Sequence, residues 1–291
     1  MSFEIPGVLW RRDPEATELP LVFDSPHSGS SYPEDFQFCC PLDVLRMAED
    51  TYVDELYSAA PALGATLIGA VFPRSYLDAN RAVDDLDSAL IDGAWPSPLA
   101  PSHKTRSGLG LVRRVARPGI PIYDRKLRVD EILARLERCH IPYHRVLDET
   151  CQRVHRKFGV VWHVNCHSMP SQRGSAKRGG HCADFVLGDR DGSTCEPEFT
   201  DFVARELRGR GYTVRINEVY KGVEIIKRQG SPAMHRHSLQ IEVDRALYMD
   251  QKTLEKSHGF DQVRADITEL IAALQRFASA RLAERPVENP V

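Results

Sequence analysis

No stretch of this 291-residue chain runs to eighteen consecutive apolar residues, so the sequence offers no membrane-spanning helix. Runs of five or six like charges are also missing. With a formal charge of -3 and an isoelectric point near 6.4, nothing marks a nucleic-acid or acidic-membrane partner, and small-molecule chemistry is expected. The seven cysteines are odd in number and form no CxxC pair, which argues against a zinc ribbon or a disulfide framework and for reduced, mostly buried thiols. Met1 to Trp10 carries Glu4 and Pro6 and lacks a basic start followed by an apolar stretch, so a cytoplasmic protein is expected. There is no internal repeat. With 42% hydrophobic residues the chain can bury a large core, and one domain spanning 1–291 is expected.

What is present is an alternation of strand and helix patterns, the mark of an α/β fold. The patterns predict strands at 21–24, 66–72, 160–165, 184–187, 212–216 and 239–243, several of them continuous apolar runs suited to a sheet covered on both faces. Helices are predicted at 41–60, 124–156, 196–210 and 251–283. From Asp92 to Ile122, repeated proline and glycine rule out regular structure over most of the segment. A second such segment, Met169 to Cys182, carries Arg173, Lys177 and Arg178 among glycines. Both read either as covers over a binding crevice or as plain surface loops.

Two histidines stand where a hydrophobic strand gives way to small residues: His27 in Phe23-Asp24-Ser25-Pro26-His27-Ser28-Gly29, and His167 in Val164-Asn165-Cys166-His167-Ser168. Strand carboxyl ends line the crevice of an open α/β sheet, so this pair suggests a metal site there. A catalytic zinc commonly takes three protein ligands, and the third should be an acid from Met47-Ala48-Glu49-Asp50-Thr51, Asp50 first and Glu49 second. Helical periodicity there does not decide which acid turns inward. Arg74 and Arg81, in Pro73-Arg74-Ser75-Tyr76-Leu77-Asp78-Ala79-Asn80-Arg81, suit a substrate carboxylate or else pair with nearby aspartates. In Leu239-Gln240-Ile241-Glu242-Val243-Asp244, Glu242 shares a face with Gln240 and Asp244, and beside a metal it can take a proton from water. Cys166, next to His167 in the strand, should point to the opposite, packed face, although a cysteine hydrolase stays open as an alternative.

At these residues the chain resembles the N-formylglutamate amidohydrolases (N-formylglutamate deformylases) and, more distantly, the zinc carboxypeptidases and aspartoacylases. The likeness runs roughly from 21 to 250, through Ser25-Pro26-His27-Ser28-Gly29, Glu49-Asp50-Thr51, Leu77-Asp78-Ala79-Asn80-Arg81, Pro142-Tyr143-His144, Asn165-Cys166-His167-Ser168, Gly230-Ser231-Pro232-Ala233 and Leu239-Gln240-Ile241-Glu242. It implies a phosphorylase/hydrolase-like, three-layer α/β/α fold with a central mixed sheet, similar to zinc carboxypeptidases. It further implies one zinc per chain on His27 and His167, a substrate carboxylate held by Asn80 and Arg81, a carbonyl polarised by Arg74, and Glu242 as catalytic glutamate. The implied reaction releases formate and L-glutamate from N-formyl-L-glutamate, as in histidine degradation.

Two departures stand out. Carboxypeptidases place a glutamate ligand three residues after the first histidine, where this chain has Ser30, and the deformylase Asp-Thr motif favours Asp50 instead. The family tends to carry an acid where this chain has Asn165, which changes the partner available to His167. For the second substrate carboxylate the candidates are Lys221, Arg228 and Arg236, with hydrogen bonds from Tyr143 and His144. His235 or His237 is a remoter candidate ligand. An N-acyl amino acid amidase of other acyl preference and a non-catalytic binding protein of the same fold are the alternatives, and Mn²⁺ or Fe²⁺ could replace zinc.

Overall fold

The computed structural model describes residues 3–171 and 183–284. An eight-stranded mixed sheet forms its centre. In chain order its strands are β1 (Phe3–Ile5), β2 (Leu9–Arg12), β3 (Leu21–Ser25), β4 (Thr66–Ala70), β5 (Val161–Met169), β6 (Phe185–Gly188), β7 (Val214–Ile216) and β8 (Arg236–Asp244). Their spatial order is β1-β2-β4-β3-β5-β8-β6-β7. The four central strands, β4, β3, β5 and β8, are mutually parallel, while β2 and β6 join them antiparallel on either side. The carboxyl ends of all four central strands therefore open at one edge, where a parallel sheet presents its ligand crevice.

Helices cover both faces. The main ones are α1 (Leu42–Arg46), α2 (Val53–Leu56), α3 (Val129–Arg135), α4 (Ile141–Phe158), α5 (Pro197–Gly209), α6 (Glu224–Gln229) and α7 (Phe260–Glu284). One apolar cluster joins Phe23, Val164, Cys166, Leu239 and Ile241 of the sheet to Val203 and Leu207 of α5 and to Ile267, Leu270 and Leu274 of α7. The other joins Val22, Ile68 and Val161 to Val146, Leu147 and Val154 of α4. This is a mixed sheet between two layers of helices, the expected α/β class.

Several boundaries differ from expectation, each for a physical reason. The strand expected to end at Asn165 continues as β5 to Met169, with all nine residues buried. The polar residues that read as a strand exit are held inside by side-chain partners. The helix expected over 41–60 is two short helices, interrupted where Asp50 N donates to His27 O at 3.0 Å and Tyr52 adopts φ 67°. That break turns Asp50 out of helical register and toward the crevice. The helix expected over 124–156 spans 129–158 with a π turn at Leu136–His140. Pro142 has no N–H and would crowd the carbonyl four residues back, and the widened turn just ahead of it accommodates this. The last helix starts at Phe260 rather than near 251, because Asp250 Oδ1 caps a turn by accepting from Lys252 N and Thr253 N. The short strands β1 and β2 at one side of the sheet and the six-residue α6 carry no periodic signal long enough to read.

The segment from 92 to 122 is largely irregular, as its proline and glycine content predicts. It holds a single helical turn at His103–Arg106 and a small hairpin pairing Val115–Arg117 with Ile120–Pro121. Of the second expected loop, residues 172–182 lie outside the described residues, including Arg173, Lys177 and Arg178.

Candidate active site

Three side chains from three different connections meet at the crevice. His27 follows β3, Asp50 sits in the break between α1 and α2, and His167 lies within β5. His27 Nδ1 and His167 Nδ1 are 3.1 Å apart, and Asp50 Oδ2 stands 3.3 Å from the first and 3.0 Å from the second. Ligands about 2.0–2.1 Å from a tetrahedral ion lie roughly 3.3 Å from one another, so this triangle has the size of one face of such a site. Among the described residues this is the group of three His, Cys, Asp or Glu side chains able to hold a metal ion.

The tautomers strengthen that fit. His27 Nε2 lies 2.7 Å from Asp78 Oδ1, and since a carboxylate only accepts, Nε2 carries the hydrogen. His167 Nε2 lies 2.7 Å from Asn165 Oδ1. The Asn165 amide is oriented by its Nδ2, which donates to Asp24 Oδ1 at 2.8 Å, so its oxygen faces the histidine. With Nε2 carrying the hydrogen, each imidazole in its neutral form turns an Nδ1 lone pair into the same buried space, beside a carboxylate. Three converging electron pairs repel one another unless a cation lies between them, and this donor set suits a borderline divalent metal.

Around the triangle the charges are tightly paired. Arg245 Nε donates to Ser168 Oγ at 2.9 Å, NH1 to Met47 O at 2.9 Å and NH2 to Asp50 Oδ1 at 2.8 Å. Arg74 donates to Asp78 Oδ2 from NH2 at 3.0 Å and from Nε at 3.3 Å, with Asp50 Oδ1 3.4 Å from its NH1. Burial alone would raise the Asp78 carboxyl, but Arg74 and His27 outweigh it and hold the group well below the carboxylate range. Asp50 is likewise depressed, burial being overcome by Arg74, His167 and His27. Glu242 behaves in the opposite sense. Burial raises its carboxyl, opposed by His167 and reinforced by Asp50. Glu242 is the cross-strand partner of His167 in the β5/β8 ladder and accepts from Gln240 Nε2 at 2.9 Å on Oε1.

His27, His167 and Glu242 open into a cavity of about 570 Å³, a size suited to a small organic substrate. Its wall also carries Arg74, Asn80, Arg81, Lys104, Arg113, Lys221 and Arg245. Lys221 stands at an exposed position, its Nζ 2.9 Å from Asp191. Asn80 is held beside the histidines: its Oδ1 accepts from Ile225 N at 2.9 Å, and its Nδ2 donates to Asn165 Oδ1 at 3.4 Å.

Other expected site residues lie elsewhere. Tyr143 is fully buried under the sheet, with its hydroxyl donating to Asp24 Oδ2 at 2.7 Å, and His144 Nε2 donates to Ala79 O at 2.8 Å. Neither lines the cavity, so substrate contact by this pair is corrected to support of the strand end and of the 79–81 turn. Arg236 pairs with Val161 at the start of β8, six residues and about 20 Å along the strand from Glu242, which removes it from the substrate site. Arg228 is bound to Asp148 on the surface. Neither His235 nor His237 lines the cavity, and Ser30 is exposed. Glu49 turns away, accepting from the Tyr32 hydroxyl at 2.6 Å, so Asp50 is the acid that faces the histidines. Cys166 is fully buried in the apolar cluster against α5 and α7, and burial pushes its thiol up, which argues against the nucleophile alternative.

Sequence reasoning missed the roles of Asp78 on His27, Arg245 on Asp50, and Arg113, Lys104 and Gln240 on the cavity wall. Arg113 and Lys104 sit in the irregular 92–122 segment, where no periodicity marks an inward face. Arg245 ends the Glu242-Val243-Asp244-Arg245 run, but strand alternation places it on the wrong side; the 3-10 turn at Arg245–Leu247 brings it back.

A family model for N-formylglutamate amidohydrolase matches residues 19–249. The N-formylglutamate deformylase of Pseudomonas aeruginosa is 27% identical over 271 residues, spanning 91% of this chain and 96% of that protein. The N-formylglutamate deformylase of Pseudomonas putida is 28% identical over 243 residues, spanning 80% and 83% respectively. The crystal structure of an N-formylglutamate amidohydrolase from Ralstonia eutropha JMP134 superposes with a TM-score of 0.91 at 47% identity, covering 94% of this chain and 99% of that one.

Proposed function

Since this chain belongs to the N-formylglutamate amidohydrolase family, we propose that it hydrolyses the formamide bond of N-formyl-L-glutamate, releasing formate and L-glutamate in the cytoplasm as a step of histidine degradation. The observation that carries this reading is the convergence of two unprotonated imidazole nitrogens and one carboxylate beside a buried glutamate in a cation-lined cavity. His27, Asp50 and His167 would hold the metal, one ion per chain and most simply zinc, which when bound supplies Lewis acidity and acidifies water toward neutrality.

The chain's own residues supply the rest. Glu242 Oε2 is the oxygen not engaged by Gln240, and its raised carboxyl is a suitable acceptor for the proton of the attacking water. The same carboxyl then delivers that proton to the departing amine nitrogen. Arg74 is anchored from behind by Asp78 and Asp50, which keeps its charge fixed beside the scissile carbonyl, where negative charge develops. Arg81 takes the α-carboxylate. Among the described residues its guanidinium has Asp85, at 3.4 Å, as its one ion-pair partner, and Nε makes no hydrogen bond. Asn80 Nδ2 donates to Asn165 Oδ1, the same oxygen that accepts from His167 Nε2, and its remaining amide hydrogen is available to the substrate side.

The test is metal content together with formate release from N-formyl-L-glutamate, before and after chelation and again after zinc is restored. The expected result is about one ion per chain, with formate release lost to the chelator and regained with zinc. Bound zinc without formate would move the acyl group or the amino acid, and no metal under reconstituting conditions would overturn the mechanism.

A further inference from the structure

Arg113 belongs to a segment with almost no regular structure, yet it is held firmly. Leu111 and Val112 before it are fully buried, Leu111 N donates to Asp85 O at 2.9 Å, and Leu111 O accepts from Asp78 N at 2.7 Å. A bridge between Leu109 and Arg113 closes the turn. The segment is thereby tied to the backbone of Asp78, whose side chain supports His27.

The side chain is 11% exposed and lies on the wall of the catalytic cavity. Its Nε makes no hydrogen bond among the described residues, and its nearest acid, Asp78 Oδ2, is 3.7 Å away and already accepts from Arg74. By contrast, all three donor nitrogens of Arg245 are engaged. Burial and the neighbouring Arg74 push the Arg113 guanidinium down to about 9, which marks a cation short of negative partners. An arginine kept this dry and this poorly paired costs free energy unless an anion completes it.

We propose that Arg113 is the receptor for the second carboxylate of a dicarboxylate substrate, acting opposite Arg81 so that two separate guanidiniums hold the two ends of the molecule. This rests on the deformylase reading and refines it by assigning the choice of amino acid to Arg113, with Lys104 of the same segment on the same wall adding positive charge. Arg113 thereby takes the place that sequence reasoning offered to Arg236, Arg228 or Lys221. A planar fork binds a carboxylate through two parallel hydrogen bonds, which a neutral amide cannot match.

The experiment compares kcat/KM for N-formyl-L-glutamate and for N-formyl-L-glutamine, which differ by one charge at nearly constant shape. In Arg113→Gln the preference for the glutamate compound should fall by about 10- to 150-fold, mostly through KM, while the glutamine compound changes little. An unchanged preference, or equal losses on both compounds, overturns the assignment. Should Arg113→Gln not fold, Arg113→Lys keeps the charge without the fork, and there a preference cut several-fold supports the assignment and an intact one overturns it. Wild-type protein that releases formate from neither compound overturns the deformylase reading instead. Calorimetric titration with glutarate then decides Arg113 by itself: binding abolished in Arg113→Gln supports the subsite, and equal binding overturns it.

Discussion

Replacing Asp78 with asparagine probes the proposed metal centre through the residue behind it. The Asp78 carboxylate accepts from His27 Nε2 at 2.7 Å, from Arg74 at 3.0 and 3.3 Å and from Asn80 N at 3.0 Å. An amide of the same shape keeps an oxygen for His27 but turns an NH₂ group toward Arg74 and removes the charge that makes the imidazole a stronger donor to metal. Loss of such a partner costs about 10- to 100-fold in metal affinity, or roughly 1.4–2.7 kcal/mol. Arg74 also loses its main counter-charge. Breaking a buried pair costs about 3–5 kcal/mol, and with Asp50 still 3.4 Å away the low end, about 3 kcal/mol, applies. At about 2–4 °C per kcal/mol for a chain somewhat smaller than this one, Tm should fall by roughly 6–12 °C.

The pH dependence gives an internal check. The folded-state Asp78 carboxyl lies well below its unfolded value, so its contribution is fully present above the unfolded value of about 3.9 and is lost as pH falls toward the folded one. The Tm gap between parent and Asp78→Asn should therefore narrow below about pH 4. Chelator competition for the bound metal and calorimetric melts across pH 3–7 would measure both effects. A variant that binds metal as tightly as the parent, or a Tm gap that stays constant into acid, would refute the reasoning.

Two further outcomes are expected. Glu242→Gln should retain the metal and lower kcat by about 100- to 10,000-fold, because a general base and acid is removed while the ligand triangle stays intact; loss of metal in that variant would make Glu242 a ligand. Thiol alkylation of the native protein should leave formate release unchanged, since Cys166 is fully buried away from the cavity, whereas inactivation traced to Cys166 would return the cysteine mechanism.

Much of the sheet was legible because its central strands are continuous apolar runs that periodicity detects. The motifs around His27, Asp50 and His167 were readable as donor types, since imidazole and carboxylate at strand ends announce metal chemistry. The choice between Glu49 and Asp50 was not readable. It depends on a helix break fixed by a hydrogen bond to His27 O, a contact between residues 23 positions apart that no local pattern encodes. Tyr143 and His144 misled for the opposite reason. They are polar groups beside a motif, and local sequence cannot separate a hydroxyl that reaches substrate from one that satisfies a buried aspartate such as Asp24. Arg113 stayed hidden because an irregular segment has no face to read until its backbone anchors are known.

The parallel register of β5 and β8 sets Glu242 directly across from His167, so the backbones that carry the proposed base and the proposed metal ligand stand one strand spacing apart, about 4.8 Å. Backbone hydrogen bonds act there as a ruler, while Arg113 and Lys104, the proposed selectors of the substrate, hang from an irregular segment outside the sheet. The two parts meet at Leu111, whose backbone is bonded to Asp78 N and Asp85 O. A redesign of the 92–122 segment for a different N-formyl amino acid that keeps the Leu111 anchor would leave His167 and Glu242 undisturbed on the sheet, a route to changed specificity without rebuilding that pair.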